Sequence, residues 1–231
     1  MAKENKLRVE EREGKRTRLT VNHQGKDLVF LYPSYGPDTY ANVALQIEQN
    51  GLARPTMAET ASLVHTAFNS EDRYSNEIKN IISRRRLWAF TGRLYIPNKG
   101  AYVQDNPEIR DGMPFMDESE LVKKLESNDP TVRFVHFGFK TGEMKPSELA
   151  ENDYIKAIAG EEGAEKLAEV AGKFNFNPHL FGYESMDKPI TRISALGSPW
   201  GFGERLGVYG NDHCFSRDGH AFGVSKTSKA A

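Results

Sequence analysis

The tightest constraint on the fold lies mid-chain, where two aromatic-rich apolar runs, Leu87 to Pro97 and Ala101 to Gln104, are separated only by Asn98, Lys99 and Gly100. Asn and Gly accept the positive φ that a tight turn demands, so the spacing predicts a β-hairpin. Trp88, Phe90, Leu94, Tyr95 and Tyr102 within it are large and apolar, and they read as core rather than as a binding platform.

On the N-terminal side, Arg18 to His23 and Asp27 to Leu31 form a second hairpin pattern around Gln24, Gly25 and Lys26, which Pro33, Gly36 and Pro37 are expected to end. A helix is predicted over about 39–50, with Asp38 as N-cap and Gly51 just past its end. Thr56 and Glu59 have capping-box spacing for a helix ending near Asn69. A third helix, about 74–86, aligns Ile78, Ile81 and Ile82 and finishes in Arg84, Arg85 and Arg86. Cations there complement the helix dipole; an anion site is the alternative.

After the central hairpin, residues 104–116 read as a loop, and Asp117 caps a helix over about 118–127. Val132 to Phe139 is a predicted strand on which His136 shares a face with Val132 and Phe134, as a half-buried histidine would. Thr141 and Gly142 form a turn, and helices are expected over about 147–159 and 161–173. Strands then return at about 179–184, 189–196, 205–209 and 220–225. Helices early and a cluster of short strands late predict an α+β fold, an antiparallel sheet with flanking helices. Residues 1–16, almost wholly charged or polar, read as a flexible arm, with a short helix at 4–13 as the alternative; 17–231 reads as a single domain.

A net charge of −1 removes the electrostatic case for a dedicated nucleic-acid binder. Cys214 is the single cysteine, so no internal disulfide can form, and a reducing compartment is the simplest setting for folding. No run approaches the 18 apolar residues of a membrane span, and the N-terminus lacks the apolar segment of a signal peptide. A soluble chain without membrane insertion is expected.

Chemistry-bearing residues are dense in one place, where Asn211, Asp212, His213 and Cys214 precede Asp218 and His220. Zinc would need four of them in a tetrahedron, but no paired Cys or His spacing supports it. Calcium wants six or more oxygens, and Asn211 and Asp212 alone fall short. A thiolate mechanism at Cys214 would require His213 or His220 within hydrogen-bond reach and a third orienting group. Residues 201–207 contain three glycines, but their spacing does not fit a dinucleotide loop, and no helix or βαβ unit comes after them. The chain is therefore read as a non-enzyme without metal or cofactor. A metal- or thiol-dependent hydrolase using Asp212, His213, Cys214 and His220 is the alternative, and a carbohydrate-binding lectin a third reading.

From Leu206 to Val224 there are 19 consecutive residues without Lys, Glu, Gln, Met or Trp. Those types supply 49 of the 231 residues, so chance would leave such a gap in roughly one window in a hundred. Tyr, Asn, Asp, His, Cys, Phe, Ser, Arg and Gly fill it without period, a mixture suited to a contact surface and poor as a core.

In this segment, together with the Ser194 to Ser198 lead-in and the closing Ala221 to Val224, the chain resembles the variable proteins of diversity-generating retroelements. In that family a mutagenic reverse transcriptase replaces template adenines, and its Asn codons never become Lys, Glu, Gln, Met or Trp. The resemblance implies a C-type lectin-like fold with a variable ligand-binding region at about 192–224, and a microbial or viral protein displayed on a surface or virion. It implies a ligand-binding display protein with a macromolecular partner, a protein rather than a nucleic acid. The implied contact residues are Tyr209, Asn211, Asp212, His213, Cys214, Phe215, Ser216, Arg217, Asp218 and His220, with Trp200 and Phe202 as fixed neighbours. Phe222, between Ala221 and Gly223, is expected to point inward, whereas Tyr209, His213, Phe215 and Arg217 are expected to be exposed.

Overall fold

The computed structural model describes residues 6–10, 16–198, 204–212 and 216–226, with only the backbone of Asn211 and Asp212. Its centre is the predicted hairpin: β4 (Arg86–Ile96) and β5 (Gly100–Asp105) pair antiparallel around positive-φ Asn98 and Gly100. Every residue of β4 after Arg86 is buried, so the strand has packing on both faces.

The surrounding elements are β1 (Arg8–Glu10), β2 (Thr17–His23), β3 (Lys26–Asp38), α1 (Tyr40–Gln49), α2 (Met57–Phe68) and α3 (Arg73–Arg84) before it. After it come β6 (Ile109–Arg110), β7 (Met113–Pro114), α4 (Glu118–Glu126), β8 (Val132–His136), β9 (Gly142–Glu143), α5 (Pro146–Glu151) and α6 (Asp153–Ala171). The last strands are β10 (His179–Phe181), β11 (Ile190–Gly197), β12 (Gly207–Asp212) and β13 (Gly219–Val224). The main sheet runs β1-β2-β3-β13-β4-β11-β12-β10-β9, and β5 and β8 extend from the far half of β4.

Alternation along β4 distributes its side chains among three apolar clusters. Leu87, Ala89 and Tyr95 face the largest, shared with α2, α3 and α6. Trp88 and Phe90 face a second, built with Tyr40, Val43 and Ile47 of α1. Leu94 and Ile96 face a third with Leu121 of α4. Helices thus cover both faces of the sheet, and the fold is α+β. The five aromatic and aliphatic residues expected to be core in the hairpin are all buried, as are Ile78, Ile81 and Ile82 on α3.

Several local expectations are corrected. The sheet is mixed: β13 lies parallel to β4 and β10 parallel to β12, because long connections let strands distant in sequence pair in either sense. Pro33, Gly36 and Pro37 do not end β3; the ladder between β3 and β13 slips register there, and a bulged strand tolerates residues that donate no N–H. Within the expected N-terminal arm, Arg8–Glu10 is neither frayed nor helical but pairs antiparallel with β2. Thr39, not Asp38, is the N-cap of α1, accepting from the Asn42 amide, while Asp38 accepts from Thr39 N and the Asn42 side chain. The break expected between two helices near Gly160 appears as a kink at φ +73° inside α6, and a second break falls at Asn152, which caps α6. His136 is exposed, at the end of a strand that, among the described residues, pairs with β5 alone. Residues 109–114 of the expected loop form the small β6–β7 hairpin.

Candidate functional site

The 211–218 segment spans the end of β12, at Asp212, and the start of β13, at Gly219; between them residues 216–218 are described. β12 is longer than the sequence pattern suggested, continuing to Asp212 through its pairing with Ile193 of β11. Each end carries a glycine packed on a buried aromatic side chain. A Cβ on Gly210 would stand 2.0 Å from the Tyr154 hydroxyl, and one on Gly219 1.8 Å from Trp88 Nε1. Only glycine lets the backbone approach so closely. The returning strand is further held by paired backbone hydrogen bonds between Ala53 and Val224, both 2.8 Å. Phe222 is buried in the largest cluster, as its position between two small residues predicted.

Beneath the departing end sits Arg93, fully buried on β4. Two ladder irregularities meet there. The β11–β4 register shifts between Arg192 and Ser194, and the β11–β12 register between Ile193 and Ala195. Bulges free ladder carbonyls, and a buried carbonyl without a donor is costly. Arg93 supplies the donors: Nε to Gly210 O at 2.8 Å, Nη2 to Tyr209 O at 3.1 Å and Ile193 O at 3.0 Å, and Nη1 to Thr91 O at 3.2 Å and to Ser194 Oγ. All five guanidinium N–H groups are used, and among the described residues no carboxylate pairs with it. Tyr95 donates to the same Gly210 O at 2.7 Å and accepts from the Tyr154 hydroxyl, whose oxygen lies 3.2 Å from that carbonyl. Burial first, and then the neighbouring Tyr154, push the Tyr95 hydroxyl well above its usual range; burial also raises that of Tyr154. Both remain protonated donors at neutral pH.

The expected contact residues divide. Arg217 is exposed. Tyr209 is half-buried rather than exposed, its ring stacked on Phe181 with centroids 4.5 Å apart and planes 3° apart, and Arg86 lies over it at 5.6 Å. Ser216 and Asp218 turn inward to Arg86, whose Nη1 donates to Ser216 Oγ at 3.0 Å and to both Asp218 oxygens at 3.1 Å. Burial alone would raise the Asp218 carboxyl, but the Ser216 hydroxyl and the Arg86 charge bring it below the usual carboxylate range. Arg86 thus belongs to β4 and latches the returning end; it is not a dipole cation in the last turn of α3. His220 faces Ser34, with Nδ1 3.2 Å from Oγ, and burial together with nearby Arg85 lowers its pKa against the opposing pull of Glu77 and Asp218.

Trp200, Phe202, His213, Cys214 and Phe215 lie outside the described residues, as do the side chains of Asn211 and Asp212. Of the cluster behind the hydrolase alternative, only the His220 side chain is therefore placed, and it bonds to Ser34. Among the described residues, no group of three His, Cys, Asp or Glu is arranged to hold a metal ion, and no helix is long and apolar enough to cross a membrane. A separate open cavity of about 760 Å³ lies between β8 and α6, lined by Phe134, His136, Phe137, Arg133 and Lys156 among others. Its two cations are paired, Arg133 with Asp105 and Lys156 with Glu151.

Sequence reasoning missed Arg86, Arg93, Tyr154 and Phe181. For Arg93 a signal existed, a cation inside a run otherwise buried on both faces. Comparison of the chain with protein-family models, curated proteins and solved structures gave no match.

Proposed function

We propose that this chain is a ligand-binding display protein, in which a C-type lectin-like α+β scaffold presents the 211–218 segment to a macromolecular partner. The observation that carries the reading is how the segment is held. Gly210 and Gly219 pack on either side of it against Tyr154 and Trp88 through backbone, a contact that uses none of the segment's own side chains. A surface that must accept many side chains works only on a scaffold indifferent to them. The composition of 206–224 supports the same reading, since its residue types are those that make good contact surfaces. Within it, Asn211 to Phe215 and Arg217 are the recognition positions, while Tyr209, Ser216, Asp218 and His220 frame them.

The likeness to retroelement variable proteins is part of this proposal and is tested at the gene. Sequencing the locus should reveal a near-copy of the 3′ end carrying Asn codons at the recognition positions, beside a reverse-transcriptase gene. A locus without such a copy overturns the retroelement reading.

A further inference from the structure

We infer that Arg93, with Tyr95 and Tyr154, is the positioning device that makes the recognition segment exchangeable, by fixing the strand that launches it solely through main-chain carbonyls. The inference rests on the display reading and names the residues that make it physically workable.

The chemistry of the contacts is the basis. Of the five oxygens that receive Arg93 donors, four are backbone carbonyls, and two of these belong to Tyr209 and Gly210, the residues immediately before the segment. A carbonyl is present whatever side chain its residue bears, so these bonds involve no side chain at 211 or beyond. The geometry demands Arg: three nitrogens in a rigid planar fork meet oxygens on β4, β11 and β12 at once, which the single ammonium of Lys cannot do. The charge is buried without a carboxylate partner among the described residues, an arrangement that core packing alone would not favour over an apolar side chain. Its return is that three strands, each irregular at this point, acquire one fixed course. Tyr95 adds a donor to Gly210 O and is itself held by the Tyr154 hydroxyl, and Tyr154 also forms the wall against which Gly210 must remain glycine. The launching strand is thereby determined from below, through contacts that use no side chain beyond Gly210.

The test compares local with global stability and needs no partner. Tyr95→Phe/Tyr154→Phe removes both hydroxyl donors and keeps both rings; Arg93→Lys keeps the charge and loses the fork. Amide hydrogen exchange at Tyr209 to Asp212 should accelerate at least about tenfold in the double Phe variant, relative to core amides such as Val103 and Leu180. Alanine at 211, 213, 215 or 217 should shift the melting temperature by no more than about 2 °C in the wild-type background, and by clearly more in the double Phe background. Arg93→Lys should lose the protection at the same amides. Exchange at 209–212 that rises only in step with the core, or an alanine panel equally tolerated in both backgrounds, overturns the inference. An absent template copy would instead sink the retroelement reading and leave these measurements untouched, so the two failures are distinguishable.

Discussion

Gly219→Ala is the most direct test of how the returning end of the segment is held. The added methyl would lie 1.8 Å from Trp88 Nε1 and 1.9 Å from its Cε2, where ordinary contact starts at 3.4 Å. Either the indole or β13 must retreat by about 1.5 Å to restore ordinary contact. Neither moves cheaply. Trp88 is fully buried, meets Tyr40 edge-on at 6.1 Å, and donates Nε1 to the Asp38 carbonyl at 3.3 Å; β13 is paired with β3 and β4. Overpacking of this kind costs about 1–3 kcal/mol, and loss of the indole hydrogen bond adds about 1 kcal/mol. The expected destabilisation is therefore about 2–4 kcal/mol. Urea denaturation followed by tryptophan fluorescence and far-UV circular dichroism measures it, with Arg217→Ala as the exposed control within about 0.5 kcal/mol of wild type. If Gly219→Ala also falls within about 0.5 kcal/mol, the glycine is not an anchor and the pinned-segment argument fails.

Phe222→Ala should cost about 3–5 kcal/mol through lost burial and the cavity left behind, whereas Tyr209→Ala, half-buried and stacked on Phe181, should cost about 1–3 kcal/mol; equal losses in denaturant melts would make Tyr209 core. Because His220 is harder to protonate folded than unfolded, the stability it supports is whole above its ordinary pKa of about 6.5 and falls as pH drops through the lowered folded value. His220→Gln should flatten that decline between about pH 7 and about pH 5, and denaturant midpoints that stay parallel to wild type would refute it. Asp218 acts in the same sense at lower pH, its contribution present above about pH 4 and lost as pH falls through its depressed folded pKa, so Asp218→Asn should weaken the acid limb of the same curve. Thermal melts with and without a chelator should superimpose, and a transition lost on chelation would bring back the metal reading.

The sequence alone determined the elements whose cause is local. The turn at Asn98 to Gly100, the Thr56–Glu59 capping box, the isoleucine stripe of α3 and the inward Phe222 each arise from residues a few positions apart, where backbone preference and apolar periodicity act directly. The 206–224 gap likewise marked the segment of interest from composition. What only the tertiary structure decided is every assignment that joins residues distant in the chain. Ser216 and Asp218 read as surface until Arg86, 130 and 132 positions away, is seen to bind them. Tyr209 read as exposed until Phe181 is found beneath it. Arg93 had no visible purpose until β11 and β12 brought freed carbonyls 100 to 117 positions away within reach of its fork. Periodicity reports whether a side chain faces inward; whether an inward cation or an outward carboxylate finds its partner depends on strand order and register, which no local pattern encodes.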